Sequence, residues 1–235
     1  MFYPMYYFDP TYFLVLIGVV ISAIASYRVN SVFSKYSRVA NHAGITGAMA
    51  AERILRESGI YDVRVERISG NLTDHYDPTH KVLRLSDSTY GSTSVAALGV
   101  AAHECGHAVQ HAVHYLPLQI RGAMVPIVNF ASGISWPLVL IGLLFNSRMS
   151  SLFINLGILM FLAAVLFQII TLPVEINASR RAMGILRGTG MLYPEEASMA
   201  GKVLSAAALT YVAGALASVL QLLRLLLLTR GRDND

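Results

Sequence analysis

Four apolar runs decide most of what this chain can fold into. They lie at about residues 11–28, 123–146, 151–172 and 203–228. Each approaches or exceeds the roughly 20 residues that carry an α-helix across a bilayer. Hydrocarbon accepts only structures whose backbone N–H and C=O groups are paired internally. The runs therefore predict an integral-membrane protein, mainly α, with about four transmembrane helices. Composition agrees: 54% of residues are hydrophobic and 14% charged, against roughly 25% charged in a soluble domain. The first run carries "AIA" at Ala23–Ala25, a pattern similar to a signal-peptidase site. A signal peptide needs a positive leading region, however, and Met1–Thr11 holds no Lys or Arg. The run reads as an uncleaved anchor, with the aromatics of "MFYPMYYFDPTYF" as an interfacial belt.

The formal charge of +4 does not imply nucleic acid, because the basic residues flank apolar runs instead of forming a patch with aromatics. Their distribution gives an orientation. Val29–Gly122 carries nine Lys or Arg, Leu172–Lys202 carries four, and residues 1–11 carry none. Cytoplasmic loops are enriched in these residues, so both rich segments are expected in the cytoplasm and both termini outside. The single cysteine, Cys105, excludes an internal disulfide.

The segments outside the spans, about 30–120 and 173–202, predict a small α+β cytoplasmic part within one domain over 1–235. Thr46–Ser58 has helical spacing, with Thr46 placed to cap it and Gly59 to end it. "DVRVERI" and "KVLRLS" alternate polar and apolar residues, as half-buried strands do. "SGNLTDHYDPTHK" is dense in turn formers and reads as loop.

Chemistry concentrates in Val95–Tyr115, an Ala- and Val-rich stretch that predicts a helix yet holds four of the seven histidines. It contains "HECGH", His103 to His107. Residues four apart share one helix face, so both imidazoles can address one metal. Zinc suits two neutral imidazoles and a carboxylate with a fourth position left to water. Glu104, beside the first ligand, can serve as general base towards that water. His and Glu number seven each, so an H-E-x-x-H match by chance is expected in roughly one such chain in a hundred or fewer. Cys105 faces the other side of the helix and reads as a core thiol. Gly106 costs about 1 kcal/mol against Ala in a helix interior, which close approach of another helix would explain.

A third ligand must come from elsewhere. The metzincin pattern fails, since Gln110 and Val113 stand where it needs Gly and His. His111 continues the i, i+4 series but is rotated about 80° from His103. Glu195 and Glu196 follow Pro194, where acids suit a first helical turn. Glu175 ends the third apolar run in "TLPVEINASRRA", where a lone carboxylate is expensive unless paired. It is favoured as ligand, against a salt bridge with Arg180 or Arg181.

"GNLTDHYDPTHKVLRLS", "AAHECGHAVQH" and "LPVEINASRRA" resemble the YugP-like membrane zinc metallopeptidases, over nearly the whole chain. That family is similar in layout to the HtpX-type and CAAX-processing membrane gluzincins. The resemblance implies a zincin-like part, one Zn²⁺ on His103, His107 and Glu175, and Glu104 as catalytic base. The chain departs from the related enzymes at Ser179, where they tend to have Asp, so Asn177 or Ser179 is expected to take the spare N–H of His103. As in the related gluzincins, the strand before the active-site helix, with Val82, Leu83, Arg84 and Leu85, is expected to offer a free edge to substrate. Candidates for stabilising the transition state are Arg180, Arg181, His75 and Tyr76.

Three functions compete. The first is a zinc endopeptidase acting on a peptide or membrane-protein substrate in the bilayer. The second is a non-catalytic membrane adaptor with structural zinc, which needs a fourth ligand from His111, His75 or His80. The third is a transporter, and the scarcity of ionisable residues inside the apolar runs counts against it. Further partners are expected among membrane adaptors.

Overall fold

The computed structural model describes residues 9–144 and 149–230. The first eight residues of the expected aromatic belt, Arg148 and Arg232 lie outside the described residues. The elements are α1 (Tyr12–Tyr36), α2 (Gly47–Glu57), β1 (Arg64–Ile68), β2 (His75–Asp77), β3 (Val82–Ser86), α3 (Asp87–Tyr90), α4 (Val95–Ala112), α5 (Leu116–Leu144), α6 (Ser150–Gly188) and α7 (Pro194–Arg230). Four of these, α1, α5, α6 and α7, are long and apolar enough to cross a membrane. The protein is mainly α with one small sheet, and every one of the four helices outruns its apolar stretch. The segment after residue 172 is not a loop. α6 continues through Pro173 to Gly188, so the residues around Glu175 are presented on a helix.

The chain divides into two compact units. The first comprises Met1–Ile24, Met124–Ile169 and Ala213–Asp235. Within it, small residues let α5 and α6 approach. A Cβ on Gly157 would stand 2.6 Å from Val139 Cγ2 and 2.9 Å from the Ser135 carbonyl oxygen. Large apolar side chains such as Leu140, Leu152 and Leu159 remain exposed, as on a surface meant for lipid. Arg224 is buried here, with Nη2 at 3.4 Å from the Asp9 carboxylate and its guanidinium over the Tyr12 ring.

The second unit comprises Ala25–Ala123 and Ile170–Val212. Its sheet has the order β1-β3-β2. β1 runs parallel to β3, from Arg64 beside Val82 to Ile68 beside Ser86. β2 runs antiparallel, from His75 beside Arg84 to Asp77 beside Val82. β3 is thus the central strand, and Val82, Leu83 and Leu85 are fully buried. This corrects the expectation of a free edge there: both sides of β3 already pair, so the edges belong to β1 and β2. β2 itself falls in the stretch read as loop. Three residues show no alternation, and β3 supplies the partner that makes them a strand.

Thr46 caps α2 by accepting from Met49 N–H at 3.2 Å, and Gly59 follows the helix with φ +72°, a left-handed conformation that glycine adopts without strain. Ser94 caps α4 in the same way through Ala97 N–H. From Val95 to Ala102 every residue but Val100 is buried, and Leu98, Ala101, Ala102 and Cys105 pack with Ile54, Leu83 and Leu186 into one core. The small residues explain how α4 stays enclosed. Gly99 faces Ala200 of α7 at ordinary contact distance. At Gly106 an added Cβ would lie 2.6 Å from the Ala178 carbonyl oxygen of α6. This close approach accounts for the glycine and sets α4 directly against the helix that carries Glu175.

Candidate metal centre

His103 and His107 lie one turn apart on α4 and Glu175 lies on α6. Their ligand atoms all fall within 4.8 Å of one another. Glu175 Oε2 is 3.2 Å from His103 Nε2 and 3.6 Å from His107 Nε2. Zinc binds such atoms at about 2.0–2.1 Å, so tetrahedral ligand atoms stand about 3.3–3.4 Å apart. The two separations bracket that value. Two imidazole nitrogens and one carboxylate are also the donor set of a zinc site with an open position. The residues therefore fit the metal. The histidine side chains keep 12% and 11% of their surface and Glu175 keeps 2%, so the cluster meets solvent through a narrow opening on the imidazole side.

The far nitrogens are held as well. His107 Nδ1 lies 3.0 Å from Gln110 Oε1. The Gln110 amide is itself fixed, because its Nε2 donates to the Val174 carbonyl at 2.8 Å and to Asn177 Oδ1 at 3.0 Å. Its oxygen must then face His107, so Nδ1 carries a proton, and the neutral ring keeps its lone pair on Nε2 for a metal. His103 Nδ1 meets Ser179 Oγ at 3.1 Å. Of the two residues expected to support His103, Ser179 makes the contact, while Asn177 serves the other histidine through Gln110.

Charge around the cluster follows. Burial alone would lower the pKa of His107, but the Glu175 hydrogen bond and the Glu104 and Glu175 charges outweigh it and raise it above the usual value. The Cys105 thiol is pushed well up by complete burial and by Glu104, so it stays neutral and apart from the cluster. Arg121 Nη1 donates to Glu175 Oε1 at 3.1 Å. Tyr211 of α7 comes to the same place from the far end of the chain, beside His103 and Glu104. Glu104 is buried with 9% exposure, and Tyr76 N–H of β2 donates to its Oε2 at 3.1 Å. A cleft of about 260 Å³ opens onto His103 and Glu104, walled by Phe33, Leu72, Asp74 and Tyr211 among others.

The remaining sequence candidates fall elsewhere. Arg180 is exposed and makes no contact with the cluster. Arg181 Nε donates to Asn177 Oδ1 at 2.8 Å, which makes it the outer end of the chain that holds Gln110. His75 Nδ1 lies by the Thr73 carbonyl, His80 Nδ1 by Asp77 Oδ2, and His111 Nδ1 by the Tyr76 hydroxyl at 2.9 Å. Gln110, Arg121 and Tyr211 carry no sequence signal of their own. Gln110 is the i+3 neighbour of a ligand, and only that spacing could have marked it.

A cluster of two imidazoles and a glutamate, with a second glutamate beside it on the same helix, defines a metallopeptidase-type site. Residues 11–230 match the family described as "Putative neutral zinc metallopeptidase", and the chain belongs to that family. It is 49% identical over 224 residues to the protein of Bacillus subtilis (strain 168) named "Putative membrane protease YugP", spanning 95% of this chain and 98% of that one. No solved structure matches it.

Proposed function

We propose that this membrane zinc metallopeptidase is an endopeptidase with one zinc on His103, His107 and Glu175 and with Glu104 as general base. The observation that carries the reading is the convergence of both Nε2 atoms on one oxygen of Glu175, with Nδ1 engaged elsewhere on each ring. When bound, zinc supplies Lewis acidity towards a water and a substrate carbonyl. Glu104 accepts the proton of the attacking water and returns it to the leaving amine. Tyr76 N–H keeps its carboxylate turned to the cleft. Tyr211, bordering the same cleft as His103 and Glu104, is the donor best placed for charge developing on the carbonyl oxygen. It takes the role expected of Arg180, Arg181, His75 or Tyr76. Substrate backbone docks on β2, the edge strand whose Tyr76 N–H faces Glu104 and not β3.

The adaptor reading needs a fourth protein ligand, and each residue considered for it, His75, His80 and His111, has another partner. The Lys and Arg distribution supports a site facing the cytoplasm, with the termini outside. Glu104→Gln tests the chemistry: zinc content stays at wild-type level and cleavage of an unfolded protein falls at least a thousandfold, on the order of a lost general base and more. Retained cleavage in that variant refutes the role of Glu104.

A further inference from the structure

A second concavity of the same unit, of about 770 Å³, is lined by residues of α1, α6 and α7. Five of its residues are cations: Arg28, Lys35, Arg180, Arg187 and Lys202, and no Asp or Glu lines it. Lys35 Nζ rests 5.4 Å from the Tyr36 ring centroid. Arg28, Arg180, Arg187 and Lys202 make no ion pair and no side-chain hydrogen bond with any described residue. Like charges gathered in one hollow repel, and a low-dielectric wall strengthens their field. Here that wall is apolar, formed by Ile176, Met183, Leu204 and Leu209. All three helices are candidates for crossing the membrane, and Lys35 and Arg187 stand in the last turns of α1 and α6. A ligand that suits the hollow needs an anionic head and an apolar tail.

We propose that this concavity binds one anionic phospholipid, its phosphate among the five cations and an acyl chain along the apolar wall. Basic hollows between membrane helices suit such headgroups. Free phosphate shares the head chemistry but offers nothing to the apolar wall. Ser179 lines the same hollow and its Oγ also meets His103 Nδ1, so the bound lipid touches the residue that orients one ligand histidine. That link to activity rests on the proposed function; the binding itself does not, and it is read without any substrate.

The experiment uses the full chain in zwitterionic detergent, titrated with phosphatidylglycerol or phosphatidylcholine and followed by native mass spectrometry. Wild type retains one phosphatidylglycerol and no phosphatidylcholine. Each Lys or Arg near an anionic surface is worth about fivefold in affinity, so Arg180→Gln/Arg187→Gln/Lys202→Gln weakens the first phosphatidylglycerol by on the order of a hundredfold. Arg187→Gln and Lys202→Gln singly lose about fivefold each, which reads the site should the triple variant misfold. Arg56→Gln/Arg64→Gln, removing exposed charge elsewhere, leaves binding unchanged. Equal loss in that control would mean a general charge effect and overturn the proposal. Phosphatidylcholine bound as tightly as phosphatidylglycerol overturns it too. Complete displacement of the lipid by millimolar inorganic phosphate would assign the hollow to free phosphate instead. Full zinc with no lipid retained would defeat this inference alone and leave the metal centre standing.

Discussion

Gly106 and Gly157 solve the same packing problem in the two units with different consequences. At Gly157 a Cβ would meet Val139 and the Ser135 carbonyl, and the contact joins α5 and α6 through apolar and backbone groups. At Gly106 it would meet the Ala178 carbonyl, and polar groups flank the contact. Gln110 lies one turn on and reaches Val174 and Asn177, and Glu175 and Ser179 reach back to His107 and His103. At Gly157 in the first unit, helix proximity supplies packing. In the second it brings two distant stretches of chain to within ligand distance. Small residues between membrane helices allow close backbone approach in either case; what the neighbouring side chains are decides whether that approach does chemistry.

The sharpest way to break this contrast is to remove a group that acts in the cleft without holding metal. Tyr211→Phe should cost about 2.7–4 kcal/mol in the barrier, a hundredfold or more in turnover, with zinc content unchanged. Zinc lost together with activity would make Tyr211 a support for Glu175 only.

Exchanging each glycine for alanine tests the comparison itself. A Cβ at 2.6 Å from its neighbour forces a shift at both sites. Such overpacking typically costs ~1–3 kcal/mol, more than the up to ~1 kcal/mol of helix propensity gained. Both variants should lose stability in thermal unfolding. Only Gly106→Ala should also weaken zinc in a chelator competition, by roughly tenfold, as when a residue supporting a ligand is lost. Equal zinc affinity in the two variants would remove the distinction drawn between the units.

The smallest effect is expected at the rim. Arg181→Ala frees Asn177 without touching a ligand, so zinc affinity should fall by no more than about threefold, well short of the tenfold or greater loss typical of a ligand's direct support. Turnover at saturating zinc should hold. A hundredfold loss of turnover with zinc in place would restore Arg181 as a transition-state donor.

Much of this was legible in the sequence, unevenly. The four membrane helices follow from hydropathy, because apolar length is a local property. His103, Glu104 and His107 follow from spacing on one helix, again local. Glu175 stands out as a carboxylate too expensive to leave unpaired beside the bilayer. Gln110, Arg121 and Tyr211 carry no local mark, since their place at the site depends on elements far apart in the chain, and a glutamine in a helix looks the same whether or not it holds a histidine. Alternation marks β3 as a strand, but not as the central one. Alternation reports burial of one face and says nothing of which strands flank it, and the three-residue β2 offered no pattern to reveal the second neighbour.

Zinc K-edge X-ray absorption on the purified protein distinguishes an open site of two imidazoles and one carboxylate from every closed alternative. Two imidazole ligands are expected, with oxygen in the remaining positions and zinc–ligand distances of about 2.0–2.1 Å. A sulfur neighbour at about 2.3 Å, a third or fourth imidazole, or a protein that binds no zinc would contradict it.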